Sequence, residues 1–143
     1  MIKIGSNISK FSAYSCQPKT KEELKFIIND RVNKEGINCN LNDIDTSLIT
    51  DMSGLFSDLR FNGDISNWDV SNVKTMSYMF SYSIFNRDIN KWDVRKVDNM
   101  SRMFQFSSFK QNISNWKIRP DCNITYMFFE CPIKEEHKPK SLR

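Results

Sequence analysis

The chain has 143 residues and a formal net charge of +4; 13% of its residues are aromatic, while glycine and proline number only four each. This length suits one domain with a single core, and the scarcity of glycine and proline excludes collagen-like and proline-rich proteins. No apolar run reaches the roughly 18 residues of a membrane helix, so we expect a soluble protein.

The N-terminal segment, residues 1–17, contains lysine but lacks the apolar stretch of about 7–15 residues that a secretory signal needs. We therefore expect a cytoplasmic protein, surface-exposed only if an export leader is missing from this sequence. The segment itself is expected to add an edge strand or to stay mobile.

Residues 18–37 are predicted to form a capping helix, with the helix proper at about 21–35. Thr20 and Glu23 have the spacing of a capping box, and apolar residues follow at 24, 27, 28 and 32. Gly36 is a typical residue for the end of a helix. We expect the apolar stripe of this helix to cover the first repeat.

A 24-residue repeat dominates residues 38–133, which we divide into about four units. Its pattern is I-x2-W-D-V-x2-V-x2-M-x2-M-F-x4-F, and its tryptophan column consists of Trp68, Trp92 and Trp116. One such unit cannot bury its apolar columns alone, whereas stacked units bury them against one another. The tryptophan, methionine and phenylalanine columns are therefore predicted to form the core, and residues 134–143 a frayed polar tail.

Each unit combines two sequence patterns. Residues 65–70 alternate and end in a β-branched residue, as short strands do, and Met76, Met79 and Phe80 have helical spacing. The predicted fold class is therefore α/β, a leucine-rich-repeat-like solenoid with short parallel strands and short helices behind the N-terminal capping helix.

The stretch from Asp64 to Val73, followed by Met76–Phe80 and by Phe85 and Asn86, resembles the repeat of bacterial BspA-like leucine-rich-repeat surface proteins. The resemblance implies a leucine-rich-repeat-like solenoid and, as a function, adhesion or protein binding.

Catalytic and metal chemistry is poorly represented. The only histidine, His137, lies in the predicted tail, and there is no glycine-rich phosphate loop. Columns such as Asp45, Asp69 and Asp93 could bind calcium or act as acids and bases, but aspartates at recurring turns more often accept backbone N–H groups. We expect no cofactor, no metal and no enzymatic activity.

The four cysteines, at 16, 39, 122 and 131, are expected to be reduced thiols, with a Cys122–Cys131 disulfide as the weaker alternative.

Charge is unevenly distributed along the repeats. Residues 41–83 contain six aspartates and two basic residues, whereas residues 84–119 contain eight basic residues and three aspartates. We predict a partner-binding surface in the basic half, with two tyrosines beside it that lie off the main apolar columns. The candidate residues are Arg87, Lys91, Arg95, Lys96, Arg102, Lys110, Lys117, Arg119, Tyr78 and Tyr82. A solvated surface without a partner is the competing interpretation.

The function predicted from the sequence is a non-catalytic protein-binding module, a small intracellular inhibitor, adaptor or immunity-type protein that acts by surface occlusion. The alternatives are a surface adhesin-type repeat fragment and a nucleic-acid binder or mimic. The oligomeric state is left open.

Overall fold

Residues 14–143 are described by a computed structural model, and residues 1–13 of the predicted N-terminal segment lie outside the described part. One α-helix, α1, spans Lys21–Glu35. The Thr20 hydroxyl accepts a hydrogen bond of 3.1 Å from the Glu23 amide, and the chain leaves the helix at Gly36 with φ 96°. Thr20 thus satisfies one of the free amides at the start of the helix, and a glycine tolerates the positive φ at its end.

Helix α1 is joined to the first unit by core packing and by ion pairs. Leu24 and Ile28 are fully buried in the common core. Arg31 donates to both carboxylate oxygens of Asp43, at 2.9 and 3.1 Å. None of the helices described within residues 14–143 is both long and apolar enough to cross a bilayer.

The predicted leucine-rich-repeat-like α/β solenoid is wrong. Between Gly36 and Lys134 the described chain contains neither a helix nor a strand, and residues 14–143 show only isolated parallel bridges, such as Thr75 with Asn99. The spacing of Met76, Met79 and Phe80 is produced by consecutive turns, in which the Met79 amide donates to the Met76 carbonyl at 3.2 Å. Helical spacing over so short a stretch does not distinguish a helix from such turns.

The amides of these turns alternate between two acceptors. Odd-numbered amides such as that of Met79 bond back within their own turn, whereas even-numbered amides bond to the following unit. The amides of Met52, Met76 and Met100 donate to carbonyls of the following unit at 3.0, 2.8 and 2.7 Å. Since the amides are shared between local bonds and bonds to the next unit, neither a continuous helix nor a sheet can form.

Side chains at the same position of successive units pack directly on one another. Phe56, Phe80, Phe104 and Phe128 form a column with centroid separations of 5.4, 5.5 and 5.8 Å. The Trp92 and Trp116 rings stack at 6.3 Å. The tryptophan, methionine and phenylalanine columns are buried, so the prediction that they form the core is confirmed with two exceptions in the last unit. Phe128 is only partly buried, and Ile124, which continues the column of Met52, Met76 and Met100, is 38% exposed.

Side-chain hydrogen bonds stabilise the turns at the tryptophan and aspartate positions of the repeat. The indole Nε1 of Trp92 donates to the Ile65 carbonyl at 3.1 Å, and Trp68 and Trp116 make the equivalent bonds at 2.9 Å. The Asp69 carboxylate accepts from the Ser71 amide at 2.9 Å, as the Asp45 carboxylate does from Ser47. These aspartates therefore hold turns, which is the role expected of recurring aspartates.

The C-terminal residues are packed, not frayed. They form two 3-10 turns, Glu135–His137 and Lys140–Leu142. The His137 carbonyl accepts from the Ile113 amide at 2.9 Å, and the Lys138 ammonium lies 5.3 Å from the centroid of the Phe128 ring. This segment therefore packs against the preceding unit through Ile113 and Phe128.

All four cysteines are free, so the Cys122–Cys131 disulfide is not formed. Burial raises the pKa of both thiols above its ordinary value. Both groups therefore remain protonated, which makes them poor nucleophiles.

We predict that Phe80→Ala lowers the free energy of unfolding by about 3–5 kcal/mol, because it leaves a cavity in the middle of the phenylalanine column. Phe80 is fully buried, whereas Leu48 is 46% exposed. Leu48→Ala is therefore the control and should cost less than about 0.5 kcal/mol. Urea denaturation measures both, and equal losses would contradict the stacked core.

The Arg31–Asp43 pair predicts a pH dependence of stability. Burial opposes ionisation of Asp43, but hydrogen bonding and attraction to Arg31 outweigh it, so the pKa of Asp43 lies below its ordinary value. A lowered folded-state pKa gives stability that is present above the unfolded pKa of about 3.9 and is lost as the pH falls below it. The Asp43 side chain is 37% exposed, so solvent screening limits the contribution to about 1 kcal/mol.

Asp43→Asn should therefore lower the free energy of unfolding at neutral pH and lower it less near about pH 2. Urea titrations at the two pH values measure this, with exposed Asp58→Asn as the control. An equal effect of Asp43→Asn at both pH values would show that the ion pair does not stabilise the fold.

Candidate protein-binding face

Each unit contains two positions at which the backbone is left-handed. The first position is occupied by Gly54, Tyr78, Arg102 and Tyr126, with φ between 53° and 63°. The second is occupied by Asp58, Tyr82, Phe106 and Glu130, with φ between 55° and 59°. Glycine or asparagine would be the least strained residues at these positions.

Bulky side chains occupy several of these strained positions and lie in solvent. Tyr78, Tyr82, Phe106 and Tyr126 are 42, 58, 43 and 55% exposed. A left-handed conformation costs a non-glycine residue roughly 1–2 kcal/mol, and such strain concentrates at functional sites. These side chains are therefore the strongest candidates for a function that the fold does not require.

Arg102 lies between two tyrosines of the neighbouring units. Its guanidinium carbon is 5.7 Å from the Tyr78 ring centroid and 5.1 Å from that of Tyr126. Its Nη1 donates a hydrogen bond of 3.0 Å to the Tyr78 hydroxyl. The contacts with the two rings are favourable cation–π interactions. Together with the hydrogen bond they hold the guanidinium in place.

We call the arrangement of Arg102 between Tyr78 and Tyr126 the clamp. Further exposed aromatic rings lie next to it. Tyr82 stacks on Phe106 with centroids 5.0 Å apart, and Phe129 meets Phe106 and Tyr126 edge-on, both at 5.4 Å. We define the aromatic–arginine face as Tyr78, Tyr82, Arg102, Phe106, Tyr126 and Phe129. Contiguous exposed apolar groups of this kind mark interaction surfaces.

Three of the ten residues predicted from the sequence, Tyr78, Tyr82 and Arg102, belong to this face. The remaining seven lie on other parts of the units, and they are Arg87, Lys91, Lys96, Arg95, Lys110, Lys117 and Arg119. Lys91, Arg95 and Lys117 line an open depression of about 450 Å³. Of the basic candidates, only Arg102 therefore forms one surface with the tyrosines.

Two of these arginines form ion pairs with aspartates two residues away in the sequence. Arg95 pairs with Asp93 at 2.9 Å, and Arg119 pairs with Asp121 at 2.8 Å. Each arginine holds the pKa of its aspartate below the ordinary value. Because both guanidinium groups already have a carboxylate, they offer less to a partner than their formal charge suggests.

Phe106, Tyr126 and Phe129 were not among the residues predicted from the sequence. Phe106 lies one repeat after Tyr82, and Tyr126 lies two repeats after Tyr78. Extending the two tyrosine positions along the repeat would have found them, because residues at one position of successive units lie side by side. No such signal points to Phe129.

Metal-ligating side chains are not clustered in the described part of the chain. Within residues 14–143 no three histidine, cysteine, aspartate or glutamate side chains are grouped so that they could hold a metal ion. The absence of enzymatic activity and the cytoplasmic location stay predictions.

Comparison with protein families gives a match over most of the chain. A family model described as "Mycoplasma protein of unknown function, DUF285" matches residues 25–139. No curated protein and no solved structure matches the chain. The match covers most of α1 and all the units, and it does not confirm the finer resemblance to BspA-like proteins.

Replacing Tyr82 tests whether the fold needs the exposed ring. We expect Tyr82→Asn to change the free energy of unfolding by less than about 1 kcal/mol, because asparagine tolerates a left-handed backbone. Tyr82→Val loses the same ring but places a β-branched residue at φ 57°, so it should be clearly less stable. Urea denaturation compares the two, and equal stability would contradict the left-handed assignment.

Proposed function

The chain belongs to the Mycoplasma DUF285 family, whose function is unknown, and we propose that it is a non-catalytic protein-binding module whose contact surface is the aromatic–arginine face. The observation that carries this proposal is the set of exposed aromatic rings held at left-handed positions around Arg102.

The composition of the face supports a protein partner. Tyrosine, phenylalanine and arginine are enriched in protein–protein interfaces, and a few such residues usually provide most of the binding energy. The resemblance of residues 64–86 to BspA-like repeats supports the same class of function, since that family is associated with adhesion and protein binding.

The packing of the face supports affinity. Tyr82 and Phe106 already stack on each other, and Arg102 is held by two rings. Side chains that are ordered before binding lose little conformational entropy when a partner docks. A rigid surface of this kind would act by occluding the partner's own surface, as an inhibitor or an adaptor does.

The double variant Tyr82→Asn/Phe106→Asn tests the proposal. Asparagine suits the backbone at both positions, so the variant should fold, while binding should fall at least about tenfold because two aromatic anchors are lost. Crosslinking of the immobilised protein in a cell extract, read by quantitative mass spectrometry, identifies the proteins bound by the wild type and lost by the variant.

The matched control is Phe26→Gln, which removes an aromatic side chain of α1 that is 52% exposed. Proteins captured through the aromatic–arginine face should be retained by this control. If the double variant keeps every partner of the wild type, the face is not the contact surface.

A further inference from the structure

We propose that Arg102 determines the specificity of the aromatic–arginine face by binding a carboxylate on an acidic segment of the partner protein, an inference that rests on the proposed function. The segment would carry an aspartate or glutamate next to an apolar residue, with the acid at Arg102 and the apolar residue over Tyr82 and Phe106.

Arg102 differs from three other arginines in its partners. Arg31, Arg95 and Arg119 each form an ion pair with a carboxylate. Within residues 14–143 Arg102 forms none, and its hydrogen bond goes to the neutral hydroxyl of Tyr78. An arginine that is partly withdrawn from water and lacks a carboxylate gains most from one supplied by a partner.

The clamp also directs the guanidinium. A guanidinium has five N–H donors in a planar fork, and the Tyr78 hydroxyl takes a hydrogen bond from Nη1 only. Nε and Nη2 therefore retain donors for an incoming carboxylate. Because two rings already fix the side chain, little rotamer entropy remains to be lost when the acid binds.

The fold does not need an arginine at this position. Gly54 occupies the same position one unit from Tyr78, with φ 63° and no atom within 4 Å of the space where a Cβ would lie. At Arg102 φ is 55°, a conformation that glycine adopts without strain and arginine does not. The arginine thus adds strain to the turn, and what it gains in the described fold is the contact with two exposed tyrosines.

The chemistry of the face favours a protein acid over a nucleic acid. A nucleic-acid backbone is bound by several cations in a row, and Arg102 is the sole basic member of the face. Tyr82 and Phe106 stack on each other, so the facing sides of these two rings are not open to a base.

The experiment uses the full chain and a random peptide library displayed on phage. Peptides selected on the wild type should be enriched in aspartate or glutamate next to an apolar residue. Binding of a selected peptide should fall about tenfold or more with Arg102→Gly, and by a similar factor when its acid is changed to the amide.

Two further variants separate specificity from folding. Arg102→Lys keeps the charge but loses the fork, so it should recover only part of the affinity. Arg95→Gln removes an arginine that is already paired with Asp93 and should bind as the wild type does. The thermal midpoint of Arg102→Gly should stay within a few degrees of the wild type, because glycine relieves the left-handed strain.

The outcomes distinguish this inference from the proposed function. Peptides without acidic enrichment that still depend on Tyr82 and Phe106 would overturn the role of Arg102 and leave the proposed function standing. Single-stranded oligonucleotides that bind more tightly than acidic peptides, and are lost with Arg102→Gly, would also overturn it. Selected peptides whose binding is unchanged by variants of Tyr82, Phe106 and Arg102 would contradict the proposed function itself.

Discussion

The alternating allocation of backbone amides is the constraint on which the rest of this molecule depends. In each of the first three units one set of amides closes local turns and the other set crosses to the following unit, as the Met76 amide does to the Asn99 carbonyl at 2.8 Å. The crossing bonds fix a register in which Phe56, Phe80 and Phe104 lie face to face. Each fully buried phenylalanine contributes roughly 1.5–3 kcal/mol by transfer from water, so hydrogen bonding and packing select the same arrangement.

The turns of the units also create the surface. Each unit bends at two left-handed residues, such as Tyr78 and Tyr82. Because these positions point away from the core, their side chains lie in solvent. Each unit therefore presents two exposed positions at its surface. The fold does not determine which residues stand there, so these residues can be suited to binding. At the first of these positions the side chain ranges from none, at Gly54, to a long charged one, at Arg102.

The distribution of ion pairs separates stabilising charges from available ones. Arg31 joins α1 to the first unit through Asp43, and Arg95 and Arg119 each pair with an aspartate of their own turn. Formal charge counts do not distinguish these residues from Arg102, which lies between tyrosine rings. For this reason the unequal charge of the two halves of the chain is a weaker guide to a binding surface than the partners of each side chain.

The sequence by itself determined which side chains are buried, since an apolar residue that recurs at the same position of every unit has to be covered by its equivalents. It also determined the capping helix, because Thr20 and Gly36 specify its two ends through local hydrogen bonding and backbone freedom. Only the tertiary structure decided that the units are built of turns, because spacing at Met76, Met79 and Phe80 is the same for a helix and for two bends. It alone decided the candidate face as well. Whether an arginine faces a carboxylate or a pair of tyrosine rings depends on which residues of neighbouring units come to lie beside it.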